Sequence, residues 1–488
     1  MNTFMKELEE QYNYKFTENS ALAHRSTGSK VYDLFAFGGA YRHRSIEDCI
    51  LLFKNAFDED PDLALKCLFY IRDCRGGQGE RRFFRVCIHW LAQTHPVFLI
   101  PLIKYIPEFG RWDDVFELFG THLENDACSL IVRQLTKDMV DCYDKKAISL
   151  LAKWMPSENA HSQAAKRKAE VIRKYLQASK KEYRQMLSSL RAHLRVLERL
   201  MSENQWDEIE FDKIPSKAGM IYRNAFARKD IIREKYLAFM KDKNTKVNAG
   251  TLYPYEIVKR VSGNVLLDEI ERNAVNKYWE NLPDYFNGES SSMLCVVDTS
   301  YSMHGLPIEV AISLGLYTAE RMKGDFANYF ISFSREPRLV SIEGIDFVDK
   351  VRRIKSKVIM ENTNLTKVFD LLLTIGRIDR VKQEDMPKTI VVISDMEIDQ
   401  GSTWRDGMSI KTEMERMREK WESYGFHMPK LVYWNVDARH NTILDKDDGV
   451  SDVSGCSPVI YKSILTGKTG FDLMLEALLS ERYKEIKA

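Results

Sequence analysis

The sequence predicts an α-helical repeat domain followed by an α/β domain with an open, mainly parallel sheet. From about residue 32 to residue 154, apolar stripes at helical spacing alternate with short polar turns. After about residue 292, segments typical of buried strands alternate with amphipathic helices. The length of 488 residues also favours two domains, because a single hydrophobic core seldom organises so long a chain. We therefore predict a helical domain over residues 1–285 and an α/β domain over residues 286–488.

Composition and charge argue against a strongly basic protein, a disulfide-rich secreted protein and a membrane protein. Lys and Arg number 72 and Asp and Glu number 71, so the formal net charge is +1 and any nucleic-acid partner must bind a local basic patch. The eight cysteines are scattered without a C-x-x-C pair, which is typical of reduced thiols in a cytosolic protein. No apolar run is long enough to cross a bilayer, and the N-terminus has no targeting pattern. We expect a cytoplasmic protein without a membrane partner.

The first predicted elements are short helices that follow one another closely. They are SIEDCILLFKNAF, DLALKCLFYIRDC, RRFFRVCIHWLAQ, HPVFLIPLIKYI, WDDVFELFG and SLIVRQLTKDMV. Ser45 is typical of a helix N-cap, and Asp60 followed by Pro61 is typical of the start of the next helix. Short helices joined by tight turns predict stacked antiparallel pairs with one broad curved face for binding.

A glycine- and arginine-rich stretch, RDCRGGQGERR, spans residues 72–82. It lacks the G-x-x-x-x-G-K-[ST] order of a phosphate-binding loop. Glycines just after a helix suit the left-handed backbone of a C-cap, so we interpret the stretch as a turn between helices. Arg75, Arg81 and Arg82 remain candidates for phosphate contacts.

Residues 160–233 are predicted to form long polar helices with the strongest local excess of positive charge in the chain. Ten basic side chains could form a phosphate-binding surface there: Lys166, Arg167, Lys168, Arg173, Lys174, Lys180, Lys181, Arg184, Arg191 and Arg195. Such a surface gains affinity from counterion release. Most charge runs, however, are only solvated helix surfaces, and the sequence leaves both interpretations open.

In the second domain, strand and helix signals alternate along the chain. Strands are predicted at SMLCVVDTS, ANYFISFS, PRLVSIE, KTIVVISDMEI, KLVYWNVD and SPVIYKSIL. Helices are predicted at PIEVAISLGLYTAERM, FVDKVRRIKSKV, TKVFDLLLTIGRIDRV, MERMREKWESYG and FDLMLEALLSERYKEI. Such alternation is typical of a parallel sheet with helices on both faces, in which ligands bind beyond the carboxyl ends of the strands.

Oxygen-bearing side chains gather at these predicted strand ends. They are Asp298, Ser300 and Ser302 after the first strand, Thr363 before a helix, and Asp395 after the strand TIVVIS. Two carboxylates and three hydroxyls suit Mg²⁺ or another hard divalent cation such as Mn²⁺. The alternative is that the serines cap a helix and the carboxylates accept bonds from backbone amides. We favour metal binding, because capping does not require carboxylates at two adjacent strand ends.

This pattern resembles the metal-ion-dependent adhesion site of von Willebrand factor A domains, and the resemblance extends from about Ser291 to the C-terminus. It implies that Asp298, Ser300 and Ser302 come from a first loop, Thr363 from a second, and Asp395 from a third, often through water. Tyr301 stands where the family often has glycine, and Glu361 and Asn362 stand where two glycines are common. The predicted fold class is therefore an α-helical repeat (HEAT-like) domain followed by an α/β von Willebrand factor A (Rossmann-like) domain.

The whole chain is similar to the Ro autoantigen family, also called TROVE-module proteins, and most of all to an uncharacterised Ro-like branch. The phrases that carry this resemblance are FYIRDCRGGQGERR, PEFGRWDD, LYPYEIV and LVYWNVDAR. It implies a ring of helical repeats, closed by the A-type domain, that binds structured small RNAs. We therefore expect a non-catalytic RNA-binding ribonucleoprotein scaffold. The alternative is a protein-interaction scaffold whose metal captures an aspartate or glutamate of a partner.

Catalysis is not expected. His304 follows Ser302 closely, but proximity in sequence is weak evidence for a base and nucleophile, and no G-x-S-x-G elbow is present. A two-metal phosphatase or nuclease would normally show more carboxylates, although Glu397 and Asp399 near Asp395 leave that alternative open. We expect neither a catalytic residue nor a small-molecule substrate.

Overall fold

Helices form the first region of the chain, up to about residue 280. The computed structural model describes residues 3–262, 266–288, 291–333, 336–357, 364–399 and 412–488. The helices of this region are α1 (Thr3–Asn13), α2 (Lys30–Phe37), α3 (Ile46–Glu59), α4 (Pro61–Arg72), α5 (Arg81–Thr94), α6 (Pro96–Leu99), α7 (Ile106–Phe109), α8 (Trp112–Val115), α9 (Glu124–Tyr143), α10 (Leu151–Trp154), α11 (Gln163–Tyr175), α12 (Lys180–His193), α13 (Leu197–Ser202), α14 (Ser216–Arg228), α15 (Asp230–Lys241), α16 (Pro254–Val261) and α17 (Glu269–Glu280). A hairpin of two short strands, β1 (Tyr14–Phe16) and β2 (Leu22–His24), follows α1.

A mixed sheet with flanking helices forms the second region. Its elements are β3 (Met293–Asp298), α18 (Leu306–Arg321), β4 (Tyr329–Phe333), β5 (Arg338–Ser341), α19 (Phe347–Lys357), α20 (Leu365–Ile378), β6 (Thr389–Ser394), α21 (Glu413–Ser423), β7 (Lys430–Asn435), β8 (Val450–Ser454), α22 (Tyr461–Ile464) and α23 (Gly470–Leu478). The boundary predicted between residues 285 and 286 falls between α17 and β3 and stays a prediction.

The early helices begin where their capping residues predict. The Ser45 hydroxyl accepts a hydrogen bond from the Asp48 backbone N–H at 3.0 Å at the start of α3. Asp60 accepts from the Leu63 N–H at 2.9 Å at the start of α4, with Pro61 in the first turn. Several later helices are only one turn long, among them α6, α7, α8 and α10. Regular HEAT-like pairing of the helices therefore stays a prediction.

The stretch over residues 72–82 is a turn between α4 and α5, as predicted, but the C-cap of α4 is Asp73, with φ of −55°, and not a left-handed glycine. Arg72 is buried and its Nη2 lies 2.6 Å from Asp114 Oδ2. The Arg75 guanidinium donates to the Glu108 carbonyl at 2.7 Å. Gly77 is required by close packing, since a Cβ there would lie 2.0 Å from the Tyr70 carbonyl oxygen. These contacts give the stretch a structural role.

The sheet has the strand order β5-β4-β3-β6-β7-β8 and is parallel except at its β5 edge, which pairs antiparallel with β4. Its two faces bury separate apolar clusters, one against the helical region and one under α20 and α21. From β3 the chain first adds β4 on one side and later β6 on the other. The carboxyl ends of β3 and β6 therefore flank the crevice where ligands bind in open α/β sheets.

Two predicted elements are wrong. SPVIYKSIL is helical, with a short 3₁₀ turn over Pro458–Ile460 followed by α22, because the Ser457 hydroxyl accepts from the Val459 N–H at 3.4 Å and the proline fits a first helical turn. The sixth strand of the sheet is instead β8, whose sequence VSDVS lacks an aliphatic run. The long basic helices are also divided, since Gln177 and Arg195 adopt left-handed backbone conformations with φ of 53° and 45°.

The helical region begins and ends against the sheet region. At its start, the Tyr32 hydroxyl on α2 accepts a hydrogen bond from the Asp452 N–H of β8 at 2.8 Å. At its end, the rings of Trp279 on α17 and Phe347 on α19 stack at 4.3 Å. Both ends of the helical region therefore pack against the sheet region.

No helix in the described ranges is both long and apolar enough to span a bilayer. The eight cysteines are free thiols, and six of them are buried.

Candidate functional site

Two buried carboxylates meet at the carboxyl ends of neighbouring strands. Asp298 ends β3 and Asp395 directly follows β6, and both are fully buried. Parallel pairing of β3 with β6 brings them together, and the Ser394 hydroxyl donates to Asp298 Oδ2 at 2.6 Å. This is the crevice at which the strand order reverses.

The two predicted serine hydroxyls lie beside Asp298. The Ser300 N–H donates to Asp298 Oδ1 at 2.9 Å, and the Ser300 and Ser302 hydroxyl oxygens are 2.9 Å apart. Tyr301 between them points to solvent, with 65% of its surface exposed. Thr363, the remaining predicted ligand, lies outside the described residues. Four of the five predicted oxygen ligands therefore lie at one end of the sheet.

Asp298 is in an unfavourable position for a negative charge. Burial, and then the negative charge of Asp395, raise the pKa of Asp298 to about 7, although hydrogen bonds from Ser394 and Ser300 act to lower it. A cation would relieve this repulsion, and the all-oxygen set fits a hard cation such as Mg²⁺. Across the described ranges no three His, Cys, Asp or Glu side chains form a metal-binding group, so a cation here would depend on the serine hydroxyls.

Sequence reasoning missed a positive charge at this site. Arg439 follows β7 and donates from Nη2 to Asp395 Oδ2 at 2.5 Å. Its Nη1 lies 3.0 Å from Glu18 Oε2, in the loop of the N-terminal hairpin. The phrase LVYWNVDAR ends on Arg439, and its place after a strand was the one available indication. The sequence held no such indication for Glu18, because this residue lies at the other end of the chain.

The other candidates near Asp395 have different surroundings. Glu397 is fully buried and accepts hydrogen bonds from the Glu18 N–H at 2.7 Å and the Thr442 hydroxyl at 2.9 Å. Asp399 forms a β-bridge with Ser20. Both residues thus attach the N-terminal hairpin to the sheet domain. His304 is exposed at the end of a 3₁₀ turn.

The predicted basic residues divide into two groups, and each member of the first group bonds to another part of the protein. Lys168 pairs with Glu117 at 3.2 Å, Arg173 with Glu158 at 2.7 Å, Lys174 with Glu170 at 2.8 Å, and Arg195 with Glu208 at 2.6 Å. Arg191 donates to the carbonyl oxygens of Ala152 and Met155, each at 2.8 Å. Lys168, Arg173 and Arg191 thus attach α11 and α12 to neighbouring segments, whereas Lys174 pairs within α11 and Arg195 pairs just after α12.

The second group is free of ion pairs in the described part of the chain. Its members are Lys166, Arg167, Lys180, Lys181 and Arg184. Four are exposed, and Lys166 is half-buried. The last three form what we call the basic cluster, at the start of α12. The opposite face of α12 buries Tyr183, Leu187 and Leu190, so the helix has one apolar and one basic side.

Two family models match the chain, and both are described as domains of unknown function. DUF2828 matches residues 17–108 and 158–286, and DUF7788 matches residues 290–486. Neither description names a von Willebrand factor A domain or a Ro protein, so those two assignments stay predictions.

A curated relative matches nearly the whole chain. Uncharacterized protein L728 of Acanthamoeba polyphaga mimivirus is 30% identical over 496 residues, which cover 93% of this chain and 85% of that protein. Among solved structures, the crystal structure of Deinococcus radiodurans Ro (RSR) protein matches with a TM-score of 0.49 and 13% identity, over 93% of this chain and 100% of that one. On the first of these matches, the chain belongs to the same family as mimivirus protein L728.

Proposed function

We propose that this protein is a non-catalytic, cytoplasmic RNA-binding scaffold of the Ro type, with HEAT-like helical repeats and a von Willebrand factor A domain. The observation that carries the proposal is the basic cluster of Lys180, Lys181 and Arg184, which is exposed and free of ion pairs in the described residues. Fixed cations of this kind bind phosphates and release counterions. The sequence resemblance to Ro proteins supports RNA as the source of those phosphates.

The position of the basic cluster favours function over stability. Ser179 caps α12, so Lys180 and Lys181 lie in its first turn, at the positive end of the helix dipole, and Arg184 lies one turn further along. Cations at a helix N-terminus are unfavourable by about 0.3–1 kcal/mol each, and here no ion pair within the described residues compensates for them. A binding partner that supplies negative charge would compensate for these cations.

The test is recovery of RNA crosslinked to the purified protein. We expect structured RNA to be enriched with the wild type and lost with Lys180→Glu, Lys181→Glu and Arg184→Glu combined. This triple variant should fold at least as well as wild type, because acidic residues suit a helix N-terminus. Arg191 is left unchanged because of its bonds to Ala152 and Met155.

A matched control reverses three exposed cations of the sheet domain, Arg380, Lys382 and Lys388. RNA recovery with this control should equal that of the wild type. Equal loss in both triple variants would show that only net charge matters, and no RNA above background would reject the proposal.

A second candidate function is metal-dependent capture of a carboxylate from a partner protein. It is favoured by the buried pair Asp298 and Asp395 beside two adjacent hydroxyls. Asp298, Ser300, Ser302 and Asp395 would hold Mg²⁺ or Mn²⁺, with Thr363 by resemblance. Neutral hydroxyls would leave the bound cation with net positive charge, which suits an incoming carboxylate.

Mg²⁺ should stabilise the wild type and leave Asp298→Asn unchanged. A ligand present at about one hundred times its Kd adds about 2.7 kcal/mol to the free energy of unfolding, which urea titration measures. Asp472→Asn, at an exposed position of α23, is the control and should respond like wild type. Equal stabilisation of Asp298→Asn would place the cation elsewhere.

A further inference from the structure

Arg439 links two carboxylates that come from opposite ends of the chain. Its Nη2 donates to Asp395 Oδ2 at 2.5 Å, and its Nη1 lies 3.0 Å from Glu18 Oε2. Asp395 is fully buried, whereas the side chains of Arg439 and Glu18 are 33% and 38% exposed. One guanidinium therefore serves both carboxylates, so a change in one ion pair acts on the other.

The backbone around Glu18 is fixed to the loop that carries Asp395. The Glu18 N–H donates to the Glu397 carboxylate, and the Asn19 side chain donates to the Glu397 carbonyl, both at 2.7 Å. The Thr17 hydroxyl donates to the Ile398 carbonyl, also at 2.7 Å. Glu18 is thus presented to Arg439 from a rigid segment.

We propose that Arg439 is a built-in cation that competes with a divalent cation for Asp395, and that Glu18 weakens this competition by drawing Arg439 away. The inference rests on the cation site of the second candidate function. Asp395 Oδ1 already accepts from the Glu397 N–H at 3.1 Å, so Oδ2 is the oxygen over which the two cations compete. Two positive charges this close repel each other strongly, because burial reduces screening by water.

The competition predicts opposite effects for the two partners of the link. Arg439→Gln removes the competing charge and should tighten Mg²⁺ binding by about tenfold, which corresponds to about 1.4 kcal/mol. Glu18→Gln removes the ion pair that draws Arg439 away from Asp395 and should weaken Mg²⁺ binding. A variant that merely damages the fold would weaken binding in both cases.

Titration calorimetry of Mg²⁺ into the full-length protein tests this inference. The matched control is Arg25→Gln, which removes an exposed positive charge next to the same hairpin, where the Arg25 side chain donates to the Tyr14 carbonyl at 3.3 Å. Titrations in about 0.1 M and about 0.5 M NaCl separate long-range charge effects, which salt screens, from direct competition at Asp395, which persists. Circular dichroism verifies that each variant is folded.

Tighter binding by Arg439→Gln at both salt concentrations, with no change in Arg25→Gln, is the expected result. Measurable Mg²⁺ binding by Arg439→Gln, with none by the wild type, would also support competition. Equal affinities in wild type and Arg439→Gln would overturn the competition and leave the cation site standing. If neither protein binds Mg²⁺, the competition and the cation site are both rejected.

Discussion

At the scale of single residues, the candidate cation site is dominated by buried negative charge. Asp298 and Asp395 are buried at adjacent strand ends, and Arg439 neutralises only the second of them directly. Buried carboxylates without a cation are expensive, and the raised pKa of Asp298 is the consequence of that cost. The site is therefore poised to accept positive charge.

This charge predicts a pH dependence for the metal-free protein. Because the pKa of Asp298 is about 7 when folded, against an ordinary 3.8, the folded state holds the proton more tightly. The contribution to stability is full below the ordinary value and is lost as pH rises towards about 7, by at most about 1.4 kcal/mol per pH unit. Urea unfolding in chelator should show this decline in wild type relative to Asp298→Asn. Parallel pH profiles for the two proteins would contradict it.

The sequence was informative about ligands that lie close together in the chain. The alternation of Asp298, Ser300 and Ser302 after a strand predicted their meeting, and the structure places them together. The ion pair between Arg439 and Glu18 could not be predicted, because contact between such distant segments depends on tertiary packing that no local pattern reports.

At the scale of elements, α12 shows that a basic helix can contain two kinds of arginine. Arg184 is exposed and free of ion pairs in the described residues, whereas Arg191 bonds to two backbone carbonyls. Counting charges along the sequence does not separate the two. The difference depends on whether carbonyl oxygens of a neighbouring segment lie within reach, as those of Ala152 in α10 and of Met155 just after it do for Arg191.

We predict that Arg191→Met lowers the free energy of unfolding by about 2 kcal/mol, because two charge-assisted hydrogen bonds are removed while the apolar stem remains. The matched change Arg184→Met should alter stability by less than about 0.5 kcal/mol. Urea titration of both variants measures the contrast. Similar decreases would show that the assignment of these two roles is wrong.

Element prediction failed for two neighbouring segments, the buried polar strand β8 and the apolar helical segment that follows it. The strand β8 reads VSDVS, yet all five residues are buried, since its polar atoms bond across the domain junction, as the Ser454 hydroxyl does to the Phe35 carbonyl at 3.1 Å. The apolar run VIYKSIL matches the pattern of a strand but is helical. Periodicity alone does not separate a short buried helix from a strand.

At the scale of the whole molecule, hydrogen bonds join the C-terminal segment to the early helices. The Asp73 carboxylate, just after α4, is fully buried. It accepts hydrogen bonds from the Arg482 guanidinium at 2.8 Å and the Tyr483 hydroxyl at 2.9 Å. These bonds attach the C-terminal segment, which follows the sheet domain, to the early helices.

Asp73→Asn should therefore destabilise the whole protein, by about 2 kcal/mol, because charge-assisted bonds to a buried acceptor are weakened. Asp472→Asn, on the exposed surface, should change stability by less than about 0.5 kcal/mol. Thermal unfolding followed by circular dichroism compares them. A wild-type midpoint for Asp73→Asn would contradict this role.

The measurement that tests the central proposal most directly is the salt dependence of affinity for a structured RNA. For wild type, the logarithm of the association constant should fall steeply and linearly with the logarithm of salt concentration. Replacing Lys180, Lys181 and Arg184 with glutamine should reduce the slope by about 0.7–0.9 for each phosphate that the protein no longer neutralises. An affinity that does not change with salt, or equal slopes in the two proteins, would contradict RNA binding at the basic cluster.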